Sequence, residues 1–437
     1  MRIAHISPGA GGMLCGACLH DNTLAAALMR QGHDVALIPI YTPMRTDEND
    51  VSGSRIFFGA LNVFLEQRSR LYRRLPAALT GFLDRPGIIR LLARGDATID
   101  AGFLGDLTVS MLQGEEGNQA RELDELVRWL RDDYRPDVVH LSNSLLLGFA
   151  RRLRQELKVP LVCSLQGEEL FLRDLAAPYK ERVHDLLRRR AGDVDAFIAP
   201  SSVYAGVMAD MLGVDRERVH HVSLGLHLEG HGGPRPTRQE RPFIVGYLAR
   251  ICPEKGLHLL VEAFVELARS LGPGAVRLRV AGYLGGRDRA YCEKAKARLR
   301  NAGLEEEVEF LGEIDRAAKI EFLGSIDVLS VPTPYHEPKG LFVLEALANG
   351  TPVVQPDHGA FPELLAATGG GLLYAAGRPD DLVRALMEMR DDPARRQKMG
   401  RQGRQAVREF FDDTLMAQRT LKIYHGLVNT MAPGPRK

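Results

Sequence analysis

The 437-residue chain is long enough to form two or three domains, each with a hydrophobic core of its own. Apolar residues make up 45% of it and charged residues 26%, and 57 lysines and arginines balance 56 aspartates and glutamates, which is typical of a globular protein and excludes a global field that attracts nucleic acid or acidic membranes. No stretch approaches the ~20 apolar residues of a membrane-spanning helix, and five cysteines make no disulfide framework, so we expect a reducing, cytoplasmic compartment.

Strand and helix patterns alternate along the chain. In the first half, short β-branched runs predict strands at residues 3–7, 34–40, 137–141, 160–164, 196–200 and 220–223. Amphipathic stretches between them predict helices at residues 23–31, 145–156 and 203–212. The second half repeats the pattern, with strands predicted at residues 243–247, 276–281, 308–310, 328–332, 352–355 and 371–374. Strands that alternate with helices indicate parallel sheets covered on both faces.

A segment rich in glycine and proline, residues 229–236, interrupts this pattern. We interpret it as the linker between two doubly wound, Rossmann-like α/β domains. The first would span residues 1–230, and the second residues 241–413. Residues 414–437 would form a C-terminal helix and tail that pack back towards the N-terminal domain. Ligands of such sheets bind at the carboxyl ends of the strands, so we expect the two domains to face a cleft.

The N-terminal domain contains a helical insertion at about residues 55–133. Its first part, residues 55–94, carries eight arginines against one glutamate and one aspartate, with apolar residues interleaved. A basic amphipathic segment of this kind can lie on an anionic membrane, which would place the protein peripherally on the inner membrane face. The alternative is a helical pair that packs on the N-terminal sheet, with the acidic stretch at residues 100–133 neutralising its charge.

The segment from Tyr335 to Gly350 carries the strongest chemical signal in the chain. It follows the predicted strand at residues 328–332, and residues 341–349 predict a helix that Gly350 ends. Because this helix is apolar nearly all round it should be buried, yet it contains Glu345. A buried carboxylate costs several kcal/mol unless strong hydrogen-bond donors satisfy it. Ribose hydroxyls would serve, and the alternative partner is a neighbouring arginine.

The start of the same helix offers an anion site. Free N–H groups at Gly340 and Leu341, together with the positive end of the helix dipole, would face a diphosphate. Glu337, in the preceding loop, would reach a sugar attached to that diphosphate. The alternative for Glu337 is a solvated side chain.

Two cations precede this motif in the chain. Arg250 ends a predicted strand, and Lys255 opens a predicted helix at residues 257–270. Charge-assisted hydrogen bonds from both side chains to phosphate oxygens would stabilise a leaving diphosphate as its charge grows. Basic residues at strand ends are otherwise solvated, but their place before an anion-binding helix favours the functional interpretation.

Glu337 and Glu345, separated by seven residues around a Pro-x-Gly turn, resemble the donor-site motif of the retaining glycosyltransferase family 4, which has the GT-B fold. Arg250 and Lys255 stand upstream at the spacing found in that family. The resemblance covers most of the chain, through residues 137–140, 246–250, 253–256, 352–359 and 362–363.

This resemblance implies an enzyme that transfers a hexosyl group from a UDP- or GDP-linked sugar, with retention at the anomeric carbon. The acceptor would be a hydroxyl of a sugar, of a lipid-linked sugar or of another molecule, and neither nucleic acid nor a cofactor would be involved. Arg250, Lys255 and the helix start at Gly340 would stabilise the departing diphosphate. Glu337 would hold hydroxyls of the donor sugar, and Glu345 would hold the ribose. A phosphate oxygen would help to deprotonate the acceptor.

Two N-domain features complete the predicted site. The glycine-rich residues 8–12 predict a turn after the first strand. In the resembled family this loop, here with Gly12, lines the acceptor side; a plain tight turn is the alternative. Gln166 stands where many relatives carry a histidine near the reacting sugar, and residues 224–227 also depart from the family's usual turn. An amide can hydrogen-bond a hydroxyl but cannot carry a proton. We predict that Gln166 orients a substrate, unless it only satisfies loop backbone.

Two further motifs suggest metal or redox chemistry. Cys15 and Cys18 have the spacing of a redox or metal pair, but a zinc site needs two more ligands and only His20 lies nearby in sequence, so we interpret both as packing residues. Asp193 and Asp195 match a metal-binding Asp-x-Asp motif of another glycosyltransferase architecture. Here they follow a helix and precede a strand, which is typical of cap and turn residues. We therefore predict transfer without a metal.

Two other functions stay open. One is a sugar-nucleotide-binding protein without transfer activity, which Gln166 suggests. The other is a nonhydrolysing sugar-nucleotide epimerase, which shares the two-domain architecture. Both differ from a transferase in that they show no acceptor-dependent release of nucleotide.

Overall fold

The computed structural model describes residues 1–9, 16–53, 56–59, 63, 67, 101–233 and 242–431. The chain divides into two units: the first joins Met1–Gly225 to the C-terminal segment that begins at Asp413, and the second is Leu226–Asp412. Among the described residues, each unit contains one sheet of six parallel strands with helices around it. The predicted pair of doubly wound α/β domains is therefore confirmed.

The sheet of the first unit has the strand order β2-β1-β3-β4-β5-β6. Its strands are β1 (Arg2–Ser7), β2 (Asp34–Pro39), β3 (Val138–Leu141), β4 (Leu161–Ser164), β5 (Ala196–Ala199) and β6 (Val219–His221). Strand β1 pairs in parallel with β2 and β3, with Ile3 opposite Val35 and Val138. Because helices cover both faces, strands β1 to β5 are mostly buried, which is why their apolar pattern located them, while β6 at the edge is only partly buried.

Helices of the first unit connect these strands. They are α1 (Gly16–Arg30), α2 (Ala101–Gln113), α3 (Ala120–Trp129), α4 (Ala150–Leu157), α5 (Glu169–Arg173), α6 (Tyr179–Ala191) and α7 (Ser202–Leu212). Helix α7 shows how local sequence sets the limits. Ser201 caps its start by accepting from the Tyr204 N–H, and Gly213, with φ +66°, ends it in the left-handed region.

The sheet of the second unit has the strand order β12-β11-β10-β7-β8-β9. Its strands are β7 (Phe243–Leu248), β8 (Val276–Ala281), β9 (Val308–Gly312), β10 (Val328–Leu329), β11 (Val353–Pro356) and β12 (Gly371–Tyr374). Its helices are α8 (Leu257–Leu271), α9 (Arg289–Asn301), α10 (Arg316–Ser325), α11 (Leu341–Ala348), α12 (Phe361–Thr368), α13 (Pro379–Asp391) and α14 (Pro393–Phe410). Strand β10 lies between β7 and β11, so the connections that leave their carboxyl ends are neighbours.

The last helix, α15 (Asp413–Met431), packs against α1 and so belongs to the first unit. A salt bridge joins Arg30 to Asp413, with Nη2 and Oδ2 2.5 Å apart. Deeper in the core, the Tyr424 hydroxyl lies 2.5 Å from Nδ1 of the buried His140 on β3. The C-terminal helix thus completes the core of the first unit.

Three sequence predictions fall partly outside the described residues. The basic segment at residues 55–94 lies almost wholly outside them, and residues 234–236 of the proposed linker also lie outside them. Within the predicted insertion, residues 101–133 are mostly helical and contain α2, the 3-10 turn Gly114–Glu116, α3 and most of the π-helical turn Leu130–Tyr134. The helix predicted at residues 145–156 begins as a 3-10 segment, Ser144–Phe149, before α4. No helix in the described part of the chain is long and apolar enough to cross a bilayer.

Gly148 lets this 3-10 segment approach α2, because a Cβ at Gly148 would lie only 1.9 Å from the Met111 carbonyl oxygen. We predict that Gly148→Ala lowers the free energy of unfolding of the first unit by about 1–3 kcal/mol, as overpacking does. Gly206, inside α7, is the matched control, since its Cβ would meet no heavy atom closer than 4.0 Å. Gly206→Ala should stabilise the unit by about 0.5–1 kcal/mol through helix propensity. Urea unfolding followed by circular dichroism tests both, and equal effects would contradict the packing argument.

Candidate functional site

The connection from β10 to α11 carries the predicted acidic motif. Its last residue, Gly340, has φ +67° and serves as the N-cap of α11. A Cβ at Gly340 would lie 2.6 Å from Cδ1 of Leu364, so both the backbone conformation and the packing require glycine. Helix α11 is buried along nearly its whole length, as its apolar sequence predicts.

Glu337 is buried and forms an ion pair with Lys255. Its Oε2 lies 2.5 Å from Lys255 Nζ and accepts a hydrogen bond from the Tyr335 hydroxyl, also at 2.5 Å. The two charged side chains are 6% and 18% exposed. Burial alone would raise the pKa of the Glu337 carboxyl, but Lys255 and the Tyr335 hydroxyl overcome this effect and lower it to about 2. Glu337 is therefore ionised at all physiological pH values and is not a solvated side chain.

Lys255 joins two connections of the second sheet. It ends the 3-10 turn Pro253–Lys255 before α8, while its partner Glu337 lies between β10 and α11. Gly256, with φ +70°, fits beneath this turn, where a Cβ would lie 2.0 Å from the Pro332 carbonyl oxygen. The Lys255 ammonium also lies 5.1 Å from the centroid of Tyr335 and 5.6 Å from that of Phe342, within the range of cation–π attraction. The structure thus brings together two predicted site residues 82 positions apart.

A third connection, between β11 and α12, packs on Glu337. The Ala360 N–H donates to the Glu337 carbonyl oxygen at 2.8 Å, and a Cβ at Gly359 would lie 2.5 Å from that same oxygen. The rings of His336 and His358 stack beside it with centroids 4.8 Å apart. Burial, and then the neighbouring His336, lower the pKa of His358, so this imidazole is neutral near pH 7.

Glu345 has a lysine partner that the sequence did not predict. Lys319, on α10, donates from Nζ to Glu345 Oε1 at 2.5 Å, and the side chains are 9% and 8% exposed. The predicted burial of Glu345 is therefore observed, and its ionic partner is a lysine and not the arginine considered above. A lone lysine in a helix is usually a surface residue, so the sequence carried no signal for this pair.

Arg250 lies half-buried two residues after the end of β7, at the start of the connection to α8 and five residues before Lys255. Its Nε donates to the sulfur of Cys252 at 3.3 Å, and its carbonyl oxygen accepts from the Tyr247 hydroxyl at 3.1 Å. These contacts hold the guanidinium close to the backbone of its own loop. Leu341, the other predicted donor, is the first residue of α11.

Gln166 follows β4 in the first unit and enters a hydrogen-bond network. Its Nε2 donates to Asp21 Oδ1 at 2.7 Å and to the Ser142 carbonyl oxygen at 2.9 Å. Its backbone N–H donates to Glu168 Oε2 at 2.5 Å. The sequence did not single out Asp21, because nothing in a helix that follows a glycine-rich turn marks one aspartate as buried. Gly12, predicted beside this edge, lies outside the described residues.

The two motifs considered for metals have other contacts. Asp195 accepts from the Leu161 N–H at 2.8 Å and from Arg154 at 2.9 Å, so it ties the start of β4 to α4. Cys18 is a buried thiol, and Cys15 lies outside the described residues. Within the described part of the chain, no three His, Cys, Asp or Glu side chains are grouped so that they could hold a metal ion.

Two protein-family models match most of the chain. The model described as "Glycosyl transferase 4-like domain" matches residues 22–225, and the one described as "Glycosyl transferases group 1" matches residues 234–406. The boundary between the two matches falls beside the boundary between the two structural units. Lys255, Glu337 and Glu345 all lie within the second match.

Curated relatives include glycogen synthase of Mycobacterium tuberculosis, which is 28% identical over 295 residues, covering 67% of this chain and 69% of that protein. D-inositol 3-phosphate glycosyltransferase of Nocardia farcinica is 26% identical over 282 residues, covering 63% of this chain and 58% of that protein. This chain is thus similar to enzymes that differ in the acceptor their names imply.

Solved structures share the fold over 98% of this chain. Sucrose-phosphate synthase from Thermosynechococcus elongatus aligns with a TM-score of 0.71 at 20% identity, over 100% of that chain. HepE of Anabaena in complex with UDP-glucose aligns with a TM-score of 0.66 at 18% identity, also over 100% of that chain. At such low identity these likenesses show the GT-B fold alone.

The low pKa of Glu337 makes a prediction about acid stability. A carboxyl whose pKa falls from 4.5 in the unfolded chain to about 2 in the folded one contributes stability above pH 4.5, and this contribution is lost as the pH falls through 2. Glu337→Gln should therefore destabilise the second unit at pH 6, and its destabilisation relative to wild type should shrink by about 2 kcal/mol at pH 3. Urea unfolding at both pH values measures this.

The control for this experiment is Glu306→Gln, since Glu306 is an exposed glutamate of the same unit. Its effect should stay near zero at both pH values. A destabilisation by Glu337→Gln that is the same at pH 6 and pH 3 would contradict the ion-pair explanation of the low pKa.

Proposed function

This chain belongs to the glycosyl transferases that combine a 4-like domain with a group 1 domain, and from that premise we propose that it transfers a hexosyl group from a nucleotide-diphosphate sugar to an acceptor hydroxyl, with retention and without a metal. The observation that carries this proposal is the buried Lys255–Glu337 pair at the N-terminus of α11. It joins a cation, an ionised carboxylate and a helix start at the carboxyl edge of one parallel sheet, where such sheets bind ligands.

The start of α11 suits a diphosphate. The N–H groups of Leu341 and Phe342 lie in the first turn, so they have no acceptor inside the helix. They point along the positive end of the helix dipole, and Lys255 adds a full charge 5.6 Å from the Phe342 ring. Two phosphate groups would be held by these N–H groups and by the Lys255 ammonium together.

Glu337 suits the sugar. Its carboxylate is fixed by Lys255 and Tyr335, and its ionised form accepts hydrogen bonds only. Hydroxyls of the donor sugar would donate to it, which orients the sugar next to its own diphosphate. Since Lys255 contacts Glu337, the same lysine would set the position of both the sugar and the phosphate groups.

Glu345 and Arg250 have supporting roles in this proposal. We assign Glu345 to the ribose, with Lys319 Nζ donating to its Oε1 at 2.5 Å. Arg250 would add a charge-assisted bond from its Nη groups to a phosphate oxygen, while its Nε keeps the contact with the Cys252 sulfur. In the first unit, Gln166 would orient a substrate at the edge that follows β4, where the sequence also predicts Gly12.

The transfer needs one bond to break and one to form. The bond from the anomeric carbon to the phosphate oxygen breaks, and its electron pair leaves with the nucleotide diphosphate, whose growing charge Lys255 and the α11 N-terminus stabilise. The acceptor oxygen forms its bond to the same face of the anomeric carbon, and its proton passes to a phosphate oxygen. Exclusion of water would prevent hydrolysis of the donor.

The names of similar proteins bear on the class of donor. One solved structure with the same fold contains UDP-glucose, and curated relatives include glycogen synthase. These names support a UDP- or GDP-linked hexose as the donor, with a sugar, a lipid-linked sugar or another hydroxyl compound as the acceptor. The protein itself supplies all the charges that this mechanism uses, so no cofactor is required.

Lys255→Met tests the donor site directly. We predict that it weakens UDP or GDP binding and lowers kcat/KM for transfer by roughly tenfold to a hundredfold, since it removes a charged hydrogen bond worth about 1.5–3 kcal/mol. Calorimetry measures the affinity, and nucleotide release from UDP-glucose and GDP-mannose measures turnover. The control is Lys398→Met, which changes an exposed lysine of the same unit. Equal affinities in all three proteins would remove Lys255 from the site.

Acceptor-dependent release also separates the proposed transferase from the alternatives. A binding protein or an epimerase would bind the nucleotide sugar and show the same release of nucleotide with and without an acceptor. A transferase releases nucleotide faster when the acceptor is added, in proportion to the sugar transferred.

Transfer should continue in excess EDTA. The cation at Lys255 and the helix dipole of α11 take the place that a divalent ion occupies in metal-dependent transferases. The measurement is the steady-state rate of nucleotide release with EDTA in molar excess over total divalent metal. We expect this rate to change by less than about twofold. Activity that disappears in EDTA and returns with manganese or magnesium would contradict the proposal.

A further inference from the structure

The carboxyl edge of the first sheet contains a buried carboxylate that the proposed mechanism has not used. Asp21, in α1, is fully buried. Its Oδ2 accepts from Ser7 Oγ at 2.7 Å and from Ser142 Oγ at 2.5 Å, while its Oδ1 accepts from Gln166 Nε2 at 2.7 Å. One carboxylate therefore contacts the side chains of three separate segments.

Those three segments are the carboxyl ends of neighbouring strands. Ser7 is the last residue of β1, Ser142 follows the end of β3, and Gln166 lies two residues beyond β4. These strands are adjacent in the sheet, in the order β1-β3-β4. Asp21 thus fixes the relative positions of the loops at the edge where a doubly wound sheet binds its ligands.

Two histidines hold Asp21 in its ionised form. His5 Nε2 lies 3.4 Å and His20 Nδ1 3.5 Å from Asp21 Oδ1. Burial alone would raise the pKa of the Asp21 carboxyl, but His5 and His20 overcome this and hold it well below its usual range. An ionised carboxylate can only accept hydrogen bonds, so every group that contacts it must present a donor.

This requirement fixes the orientation of the Gln166 amide. Its nitrogen must face Asp21 and the Ser142 carbonyl oxygen, because both are acceptors. The amide oxygen consequently points the other way. Ionised Asp21 therefore keeps the amide nitrogen of Gln166 on its own side and leaves the amide oxygen facing away from it.

A stack of aromatic rings supports His5 from behind. Its imidazole lies parallel to that of His140, with centroids 4.4 Å apart and an angle of 8° between the planes. His140 is held in turn by the Tyr424 hydroxyl at 2.5 Å and by Ser164 Oγ at 2.8 Å. Burial lowers the pKa of His140 well below its usual range, so it packs as a neutral ring. The position of Asp21 is thus set by β1, β3, β4 and α15 together.

We propose that Asp21 is a positioning residue of the transfer reaction, which holds Gln166 and His20 in the geometry that binds the acceptor hydroxyl at the carboxyl edge of the first sheet. This inference rests on the proposed function. Asp21 acts through its neighbours, since it is fully buried and cannot touch a substrate. His20, at 11% side-chain exposure, and the partly buried Gln166 carry its influence to the surface.

Asp21→Asn tests the proposal with little change in volume. The amide keeps one acceptor oxygen but adds an N–H₂ group, which would face the Gln166 amide or a serine hydroxyl and force it to turn. We expect kcat to fall at least tenfold and the acceptor KM to rise, while UDP binds to the second unit with unchanged affinity. The assay is nucleotide release from UDP-glucose and GDP-mannose with glycogen and D-inositol 3-phosphate as acceptor probes, and calorimetry measures UDP binding.

A double-mutant cycle distinguishes positioning from plain stabilisation. If Asp21 acts through Gln166, the rate of Asp21→Asn combined with Gln166→Ala should equal that of the slower single variant within about threefold. Independent, additive losses would overturn the proposal. Thermal unfolding of each variant gives the fraction of folded protein, and each rate is divided by that fraction. Asp106→Asn, which changes an exposed aspartate of α2, is the control and should match wild type.

A milder variant keeps the proposal testable if Asp21→Asn does not fold. Ser142→Ala removes one donor to Asp21 and leaves the Ser142 carbonyl oxygen in contact with Gln166. It should raise the acceptor KM several-fold with unchanged UDP affinity, and wild-type constants would overturn the proposal. If wild-type protein itself transfers to neither probe and to no other acceptor, the proposed function fails; transfer that is unaffected in Asp21→Asn overturns only this inference.

Discussion

The site in the second unit depends on one buried ion pair. A carboxylate and an ammonium removed from water each lose several kcal/mol of hydration, and only close contact with further hydrogen bonds compensates for that loss. Lys255 and Glu337 meet this condition at 2.5 Å, with Tyr335 as an additional donor and two aromatic rings near the ammonium. The loops after β7 and β10 can therefore take only those conformations that keep the pair intact. Gly256 and Gly340 are the positions where the backbone adapts to this demand, since both have positive φ and no room for a side chain.

The first unit also contains a buried carboxylate, and different groups stabilise it. Its buried carboxylate, Asp21, is surrounded by serine hydroxyls, an amide and two histidines, and it lies at the same end of its sheet as Lys255 does of the other. An ion pair with a lysine gives a site a permanent local dipole, which suits a charged ligand. A carboxylate that also accepts from hydroxyls and an amide instead fixes directions of hydrogen bonds, which suits hydroxyl groups. The two edges thus differ in the manner expected for a donor diphosphate and a hydroxyl acceptor.

The sequence was sufficient to locate all twelve described strands, because each is a short run with apolar residues between loop and helix patterns, and most of these runs are buried in their sheets. It also located α11 and the burial of Glu345, since an apolar helix has nowhere to lie except in a core. What it missed depends on contacts between distant residues. Asp21 and Gln166 are 145 positions apart in the sequence, and His140 and Tyr424 are 284 apart, so no local pattern predicts either contact. Lys319 was missed for the related reason that a lysine in a helix normally stays in water, and the family motif names only its glutamate partner.

The helix α15 makes the first unit discontinuous in sequence, because this unit is finished only after the second has been synthesised. The second unit is one uninterrupted insert, and its ends are tied together by the bridge between Leu226 and Asp412 and by the hydrogen bond from the Leu226 N–H to the Phe411 carbonyl oxygen at 2.8 Å. A segment whose two ends meet can be removed or exchanged through a single pair of junctions without stretching either part. In evolution, and equally in the laboratory, the second unit could therefore be recombined as a cassette while the first unit kept its own sheet and loops.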